Sequence, residues 1–186
     1  MQRVVRGDVR SVWIGNVQPE LEDGRHPVKR EVGDLFTVSA DILREGHEEL
    51  AAVLLYRPVK DTRWREVPME REENDRWSAR FALEENTRYV YTIEAYPDAY
   101  LTWAGDLRKR LDSKMEVGSE LLEGAALLRA ALPRAAGADR QRIEARLAEF
   151  GAAASPEARA RIRLDEETAE LLATYPDRSA STRYDR

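Results

Sequence analysis

The sequence predicts an α+β chain of more than one domain, an immunoglobulin-like β-sandwich followed by a small helical bundle. Three observations predict it. Up to about residue 100, apolar and polar residues alternate with a period of two, and turn signals interrupt them often. Beyond that point Ala, Leu, Arg and Glu dominate, and apolar residues recur at steps of three and four. Across its 186 residues the chain is 42% apolar and 35% charged, a globular composition with enough apolar matter for a buried core. Boundaries follow at 1–100 for the sandwich, 101–175 for the helices and 176–186 for a polar return linker.

The first half divides into six candidate strands. "VWIGNV" (12–17) opens the set. "LFTVSADI" (35–42) places Phe36, Val38, Ala40 and Ile42 on one face. "LAAVLLYR" (50–57) is apolar on both faces and belongs in the middle of a sheet. "RWREVPME" (63–70) alternates, but Pro68 lacks an N–H donor and belongs at an edge. "RWSARFAL" (76–83) sets Trp77, Ala79, Phe81 and Leu83 on one face, and "RYVYTIEAY" (88–96) does the same with Tyr89, Tyr91, Ile93 and Ala95. "EDGRHP", "EVGD", "REGHEE", "VKDTR", "EENDR" and "EENT" supply the turns. Strands of this length and spacing suit a sandwich, with a half-open barrel as the structural alternative.

The second half reads as four or five short amphipathic helices. Leu107, Leu111 and Met115 share a side of 102–115. Leu121, Ala125, Leu128 and Leu132 share a side of 119–132, with Ser119 as its N-cap and Pro133 as its stop. Ile143, Leu147 and Phe150 line 139–150, which Asp139 caps. Ser155–Pro156 opens 155–164, and acids fill the first turn of 165–175. The end, "PDRSASTRYDR", carries no stripe.

Charge and composition exclude several function classes. The formal net charge is -5, and neither half is basic, so nothing marks a nucleic-acid surface. The chain has no cysteine, which rules out disulfides, thiolate nucleophiles and cysteine-held metals. "MQRVVRGDVR" lacks the apolar core of a signal peptide. The longest apolar run, "LAAVLLY", is strand length, so no membrane partner is expected and the location reads as cytoplasmic.

No catalytic set is visible. The two histidines, His26 and His47, fall in turns with no assignable partner. Phosphate-cradling glycine motifs are absent, and no cofactor or metal is expected. The carboxylate runs 72–76, 83–86 and 165–168 read as turns and a helix start rather than as an acid/base pair. Two features stand out as binding candidates. The loop "EDGRHPVKR" gathers Arg25, His26, Lys29 and Arg30 around Gly24 and Pro27, suited to an anion or an acidic partner. Among the aromatics, Trp77 and Phe81 share the phase of a core, so Trp64 is the one to stack on a sugar.

The stretches "NVQPELEDGRHPVKREVGDLFTVSADIL", "GHEELAAVLLYRPVKDTRWREVPMEREENDRWSARFALEENTRYVYTIEAY", "YLTWAGDLRKRL" and "LATYPDRSASTRYDR" together resemble the N-terminal region of the α-1,4-glucan:maltose-1-phosphate maltosyltransferases, enzymes of the α-amylase type. The resemblance runs in order from about Val12 to Arg186. It implies a β-sandwich with an inserted helical domain. It places catalysis in a later (β/α)₈ barrel, where an aspartate nucleophile and a glutamate acid/base transfer maltosyl with retention. No catalytic residue is therefore expected in this chain. The partners implied are a second copy of the protein and the barrel, with α-glucan as a further one. The loop residues Gly24, Arg25, Pro27, Lys29 and Arg30 become the candidate contact with substrate or subunit. The resemblance also implies one more sandwich strand after the helices, beyond the end of this chain.

Overall fold

The computed structural model describes residues 12–22, 24–153 and 155–185. The polar start, residues 1–11, lies outside the described residues, as do Asp23, Ala154 and Arg186 of the stretches read above. Among the described residues seven strands come first: β1 Trp13–Gln18, β2 Leu35–Leu43, β3 Leu50–Pro58, β4 Arg65–Pro68, β5 Glu70–Arg71, β6 Arg76–Ala82 and β7 Tyr89–Pro97. Five helices follow, α1 Ala99–Asp112, α2 Gly118–Ala131, α3 Gly137–Ala152, α4 Pro156–Leu164 and α5 Glu166–Thr174. A two-residue strand, β8 Thr182–Arg183, ends the series. The class is α+β. The described residues form two compact units, one from within residues 1–46, 50–97 and 179–186, the other from within residues 47–49 and 98–178.

In the first unit all strand pairs are antiparallel, in two sheets ordered β1-β2-β6-β5 and β4-β3-β7-β8. The alternating faces explain the pairing. Phe36, Val38, Ala40 and Ile42 of β2 are buried beside Trp77, Ala79 and Phe81 of β6. Leu54, Ile93 and Ala95 from the other sheet join them in one core. Tyr56 stacks on Phe81 at 3.9 Å between ring centroids, and Phe36 meets Tyr91 at 5.4 Å, so aromatics link the two sheets. β3 lies inside its sheet between β4 and β7, and its residues 52–55 are all buried, with Ala52 and Leu54 facing this core.

Three local departures have physical causes. The segment read as one strand over 63–70 is two, because the chain changes sheets after Pro68. β4 pairs with β3, β5 pairs with β6, and the Met69 side chain between them is buried in the core. In β1, Gly15 faces Asp41 and Gln18 faces Ser39, so three steps on β1 match two on β2. That bulge centres on Asn16, whose φ of 48° a side-chain amide tolerates better than most residues do. Finally, Thr182–Arg183, read as linker, pairs with Glu94 and Ala95 of β7, and Arg183 donates to Glu94 at 3.0 Å.

The second unit has its own core, built from Trp103, Leu107, Leu121, Ala125, Leu128, Ile143, Phe150 and Leu171 among others. The stripes read from spacing supply most of it, but Met115 is 54% exposed and lies past the end of α1. Caps differ from expectation at two helices. Ser119 lies inside α2, which starts one residue earlier behind Val117, a residue buried in the core. Asp139 lies inside α3, where it accepts from the Tyr175 hydroxyl at 2.8 Å and from Arg142 at 3.0 Å. Asp98, Ser155 and Asp165 do cap, each accepting from the backbone N–H three residues on. Among the described residues no helix is long and apolar enough to cross a membrane.

Two tight features generate predictions. Trp103 donates its indole N–H to Glu120 O at 2.6 Å, and a Cβ on Gly124 would come within 2.3 Å of its ring. Gly105 in α1 has open space where its Cβ would be. Gly124→Ala should therefore destabilise the helical unit by about 1–3 kcal/mol through overpacking. Gly105→Ala should stabilise it, by up to about 1 kcal/mol through helix propensity. Opposite shifts in the thermal melt check both.

Across α3 and α5, Arg142 pairs with Asp139, Glu167 and Glu170, and Arg146 with Glu149, Asp165 and Glu167. The two guanidiniums hold the Glu167 carboxyl below its ordinary range, and the Tyr175 hydroxyl with Arg142 does the same for Asp139. Carboxyls depressed on folding stabilise above their unfolded pKa and lose that contribution as pH falls through the folded value. Glu167→Gln should lower the melting temperature at neutral pH. The gap to the unsubstituted chain should close as pH drops below about 4, the ordinary carboxylate range.

Candidate functional site

β1 and β2 frame a concave surface of the first unit. β1 stays paired to β2 only as far as Gln18–Ser39. The Gln18–Pro19 peptide is cis, and there the chain leaves β2. It runs out to a small lobe closed by an isolated bridge between Leu21 and His26, with Gly24 at φ 75° inside the turn. Glycine fits that position because left-handed backbone costs it nothing. The returning segment, residues 27–30, faces residues 18–21 across the vacated side of β2.

The result is a cleft of about 920 Å³, walled by Gln18, Pro19, Glu20 and Leu21 on one side and Pro27, Val28, Lys29 and Arg30 on the other. Leu35, Thr37 and Ser39 of β2 lie along it. The core anchors both walls. Val28 packs on the core, and the Tyr91 hydroxyl donates to Pro19 O. Tyr184, just after β8, donates to Glu20 at 2.8 Å. Arg30 lies 5.5 Å from the centroid of the Phe36 ring and donates to Lys29 O at 2.8 Å. Burial and the neighbouring Glu20 carboxylate raise the Tyr91 phenol, against a smaller opposing pull from Arg30, so Tyr91 stays a neutral donor.

The predicted loop thus divides. Pro27, Lys29 and Arg30 line the cleft. Gly24 and Arg25 belong to the turn, where Arg25 donates its Nε–H to Glu22 O at 2.9 Å. His26 Nε2 lies 3.3 Å from Glu22, both side chains exposed. Lys29 and Arg30 pair with no carboxylate among the described residues. The cleft therefore presents two cations with Glu20 on the opposite wall. That set can hold an anionic or mixed-charge surface by hydrogen bonds and charge.

Trp64 lies just before β4. It is half-buried, and the Arg57 guanidinium covers it at 4.8 Å from the ring centroid. Trp77 is buried in the core, as its phase implies. The carboxylate run at 72–76 forms a short 3₁₀ turn between β5 and β6. No group of three or more His, Asp or Glu side chains among the described residues could hold a metal. Spacing gave no hint of Glu20, Tyr91 and Tyr184. Glu20 lies in the cleft wall, and Tyr91 of β7 and Tyr184 after β8 bond to Pro19 and Glu20 from distant parts of the sequence, which no period signals.

The chain is similar in sequence to known proteins. A family described as α-1,4-glucan:maltose-1-phosphate maltosyltransferase, domain N/S, matches residues 10–186. The α-1,4-glucan:maltose-1-phosphate maltosyltransferase of Myxococcus xanthus is 47% identical over 95% of the chain. Those of Chlorobaculum tepidum and Rhodospirillum rubrum are 33% and 34% identical over 95% and 92% of it. In these three the match takes in 28%, 26% and 27% of the relative, so the chain spans about a quarter of their length. With the match running through both the paired sheets and the five helices, the chain belongs to the N/S-domain family of the α-1,4-glucan:maltose-1-phosphate maltosyltransferases.

Proposed function

We propose that this chain is the non-catalytic N-terminal region of an α-amylase-type maltosyltransferase. The whole enzyme would transfer maltosyl from α-maltose 1-phosphate to the non-reducing end of an α-1,4-glucan, in the cytoplasmic synthesis of glycogen. The strands form an immunoglobulin-like sandwich and the helices a small bundle inserted in it. Their part in the enzyme is to join two subunits and to support a catalytic barrel that carries the reacting groups. The observation that carries this reading is the match of the N/S family over residues 10–186, set against coverage of only about a quarter of each relative. Its support in the structure is the cleft, where Lys29 and Arg30 offer charge to a partner and Gly24 and Arg25 shape the adjoining turn.

A second reading is an α-glucan-binding module without catalysis. Trp64 favours it as a half-buried aromatic beside Arg57, of the residue type on which a pyranose ring stacks.

Two measurements test the scaffold reading. Sedimentation of the purified chain should show a dimer at micromolar concentration. The double variant Lys29→Glu, Arg30→Glu should dissociate it about tenfold more readily, since rim charges set association. Incubation with α-maltose 1-phosphate and glycogen should release no phosphate. A strictly monomeric chain, or turnover, would sink it.

A further inference from the structure

The outer face of the β1-β2-β6-β5 sheet carries an aromatic that spacing did not single out. Trp13 is 54% exposed. Its six-membered ring does not stand out into solvent but covers Gly15. A Cβ built there would lie 2.2 Å from Cζ2 and Cη2 and 3.0 Å from Cζ3. Only a residue without a side chain leaves the strand low enough to carry the ring. One ring face rests on the Gly15 backbone, and the residue as a whole stays more than half exposed.

A row of fixed polar groups continues from that ring across the sheet. Gly15 pairs with Asp41, and Asp41 pairs with Arg76. Neighbouring strands lie about 4.8 Å apart, so indole, carboxylate and guanidinium follow one another within the reach of a disaccharide. The groups are held before any ligand arrives. Arg76 donates to Asp41 at 2.9 Å, to Asn16 O at 2.9 Å and to Ser39 Oγ at 2.6 Å. Asn16 donates its amide to Asp41 at 3.0 Å. The bulge at Asn16 makes this possible, by turning both its carbonyl and its side chain toward the row. Asp41 and Arg76 remain 30% and 20% exposed. The carboxylate keeps free lone pairs, and the guanidinium uses three of its five N–H donors, so acceptors and donors both remain.

We propose that Trp13, Asp41, Arg76 and Asn16 form a surface site for an α-1,4-glucan chain, with a pyranose ring stacked on Trp13 and its hydroxyls bonded along the row. The chemistry selects this class. A pyranose presents an apolar C–H face to a flat ring, and hydroxyls that both donate and accept. Asp41 and Arg76 neutralise each other, which matches an uncharged ligand and suits neither nucleic acid nor phosphate. A protein partner would need about 800 Å² of complementary surface. Here one ring with Leu43 at its rim stands among polar side chains. The proposal rests on the glucan-binding reading and moves its site from Trp64 to Trp13.

The test is titration of the full chain with maltoheptaose, followed by the four tryptophan indole N–H signals in NMR. The Trp13 signal should shift saturably. Trp13→Ala should weaken binding about tenfold or more and Trp13→Phe far less, as partial rescue by a smaller ring. Asp41→Asn should weaken it several-fold with the Trp13 signal still responding. Thermal melts check that each variant folds. Undiminished binding by Trp13→Ala, or loss only with Trp64→Ala, would overturn the site while leaving glucan binding intact. No shift at all would overturn it too, yet leave the scaffold reading, which rests on sedimentation. Self-association without sugar that Trp13→Ala abolishes would assign the face to a second copy of the chain, and so also overturn it.

Discussion

The first unit depends on the aromatic contacts that hold its two sheets together. Tyr56 on Phe81, Phe36 on Tyr91 and Phe81 near Tyr89 each cross from one sheet to the other. Such pairs add about 0.5–1.5 kcal/mol apiece beyond the area they bury. They also do something area alone does not, which is to fix position. Tyr91 holds the Pro19 carbonyl with its hydroxyl while its ring meets Phe36, and Phe36 lies in turn under Arg30. The walls of the cleft are therefore tied to the same rings that tie the sheets. A change in sheet packing would be felt at residues 19 and 30.

Alternation revealed this core because it is written in the simplest code the chain has. A one-residue slip would put Val38 and Ala79 in water, so register and burial specify each other. What stayed hidden has no such period. The bulge adds one residue to β1 and shifts the phase, so that Val17 is buried where strict alternation from Ile14 would bury Asn16. The chain changes sheets at Met69 inside a stretch that reads as one strand. β8 is two residues long, too short to show any period. Caps fail for a related reason. Ser119 and Asp139 have the right chemistry, but tertiary contacts decide. The buried Val117 starts α2 early, and Arg142 with Tyr175 claims Asp139. The candidate loop was legible as a cluster of charge. Its division into cleft and turn was not, because that depends on the bonds from Tyr91 and Tyr184, distant in sequence.

Charge is used differently in the two units. In the helical unit, Arg142 and Arg146 reach five carboxylates between them on α3 and α5 and at the cap of α5. Isolated exposed pairs contribute little, and a shared network is the arrangement in which they count. In the first unit, Arg76 and Asp41 are coupled to a bulge, so their geometry is fixed by backbone as well as by attraction. Lys29 and Arg30 are the contrast. They line the cleft and pair with no carboxylate among the described residues, so nothing fixes their charges as the bulge fixes Arg76.

The two tryptophans of β1 and β6 show why residue type alone could not locate a sugar platform. Trp77 has the phase of Ala79 and Phe81, and burial follows from the register of β6 on β2. Trp13 has the opposite phase to Val12 and Ile14, and exposure follows for the same reason. What separates a merely exposed ring from a supported one is the residue two places on. Any side chain at position 15 would lift the indole off the strand, whereas glycine lets it settle beside Asp41. The three letters Trp-Ile-Gly thus carry the platform. Their meaning depends on a bulge, one residue further along, that turns Asn16 toward the same carboxylate.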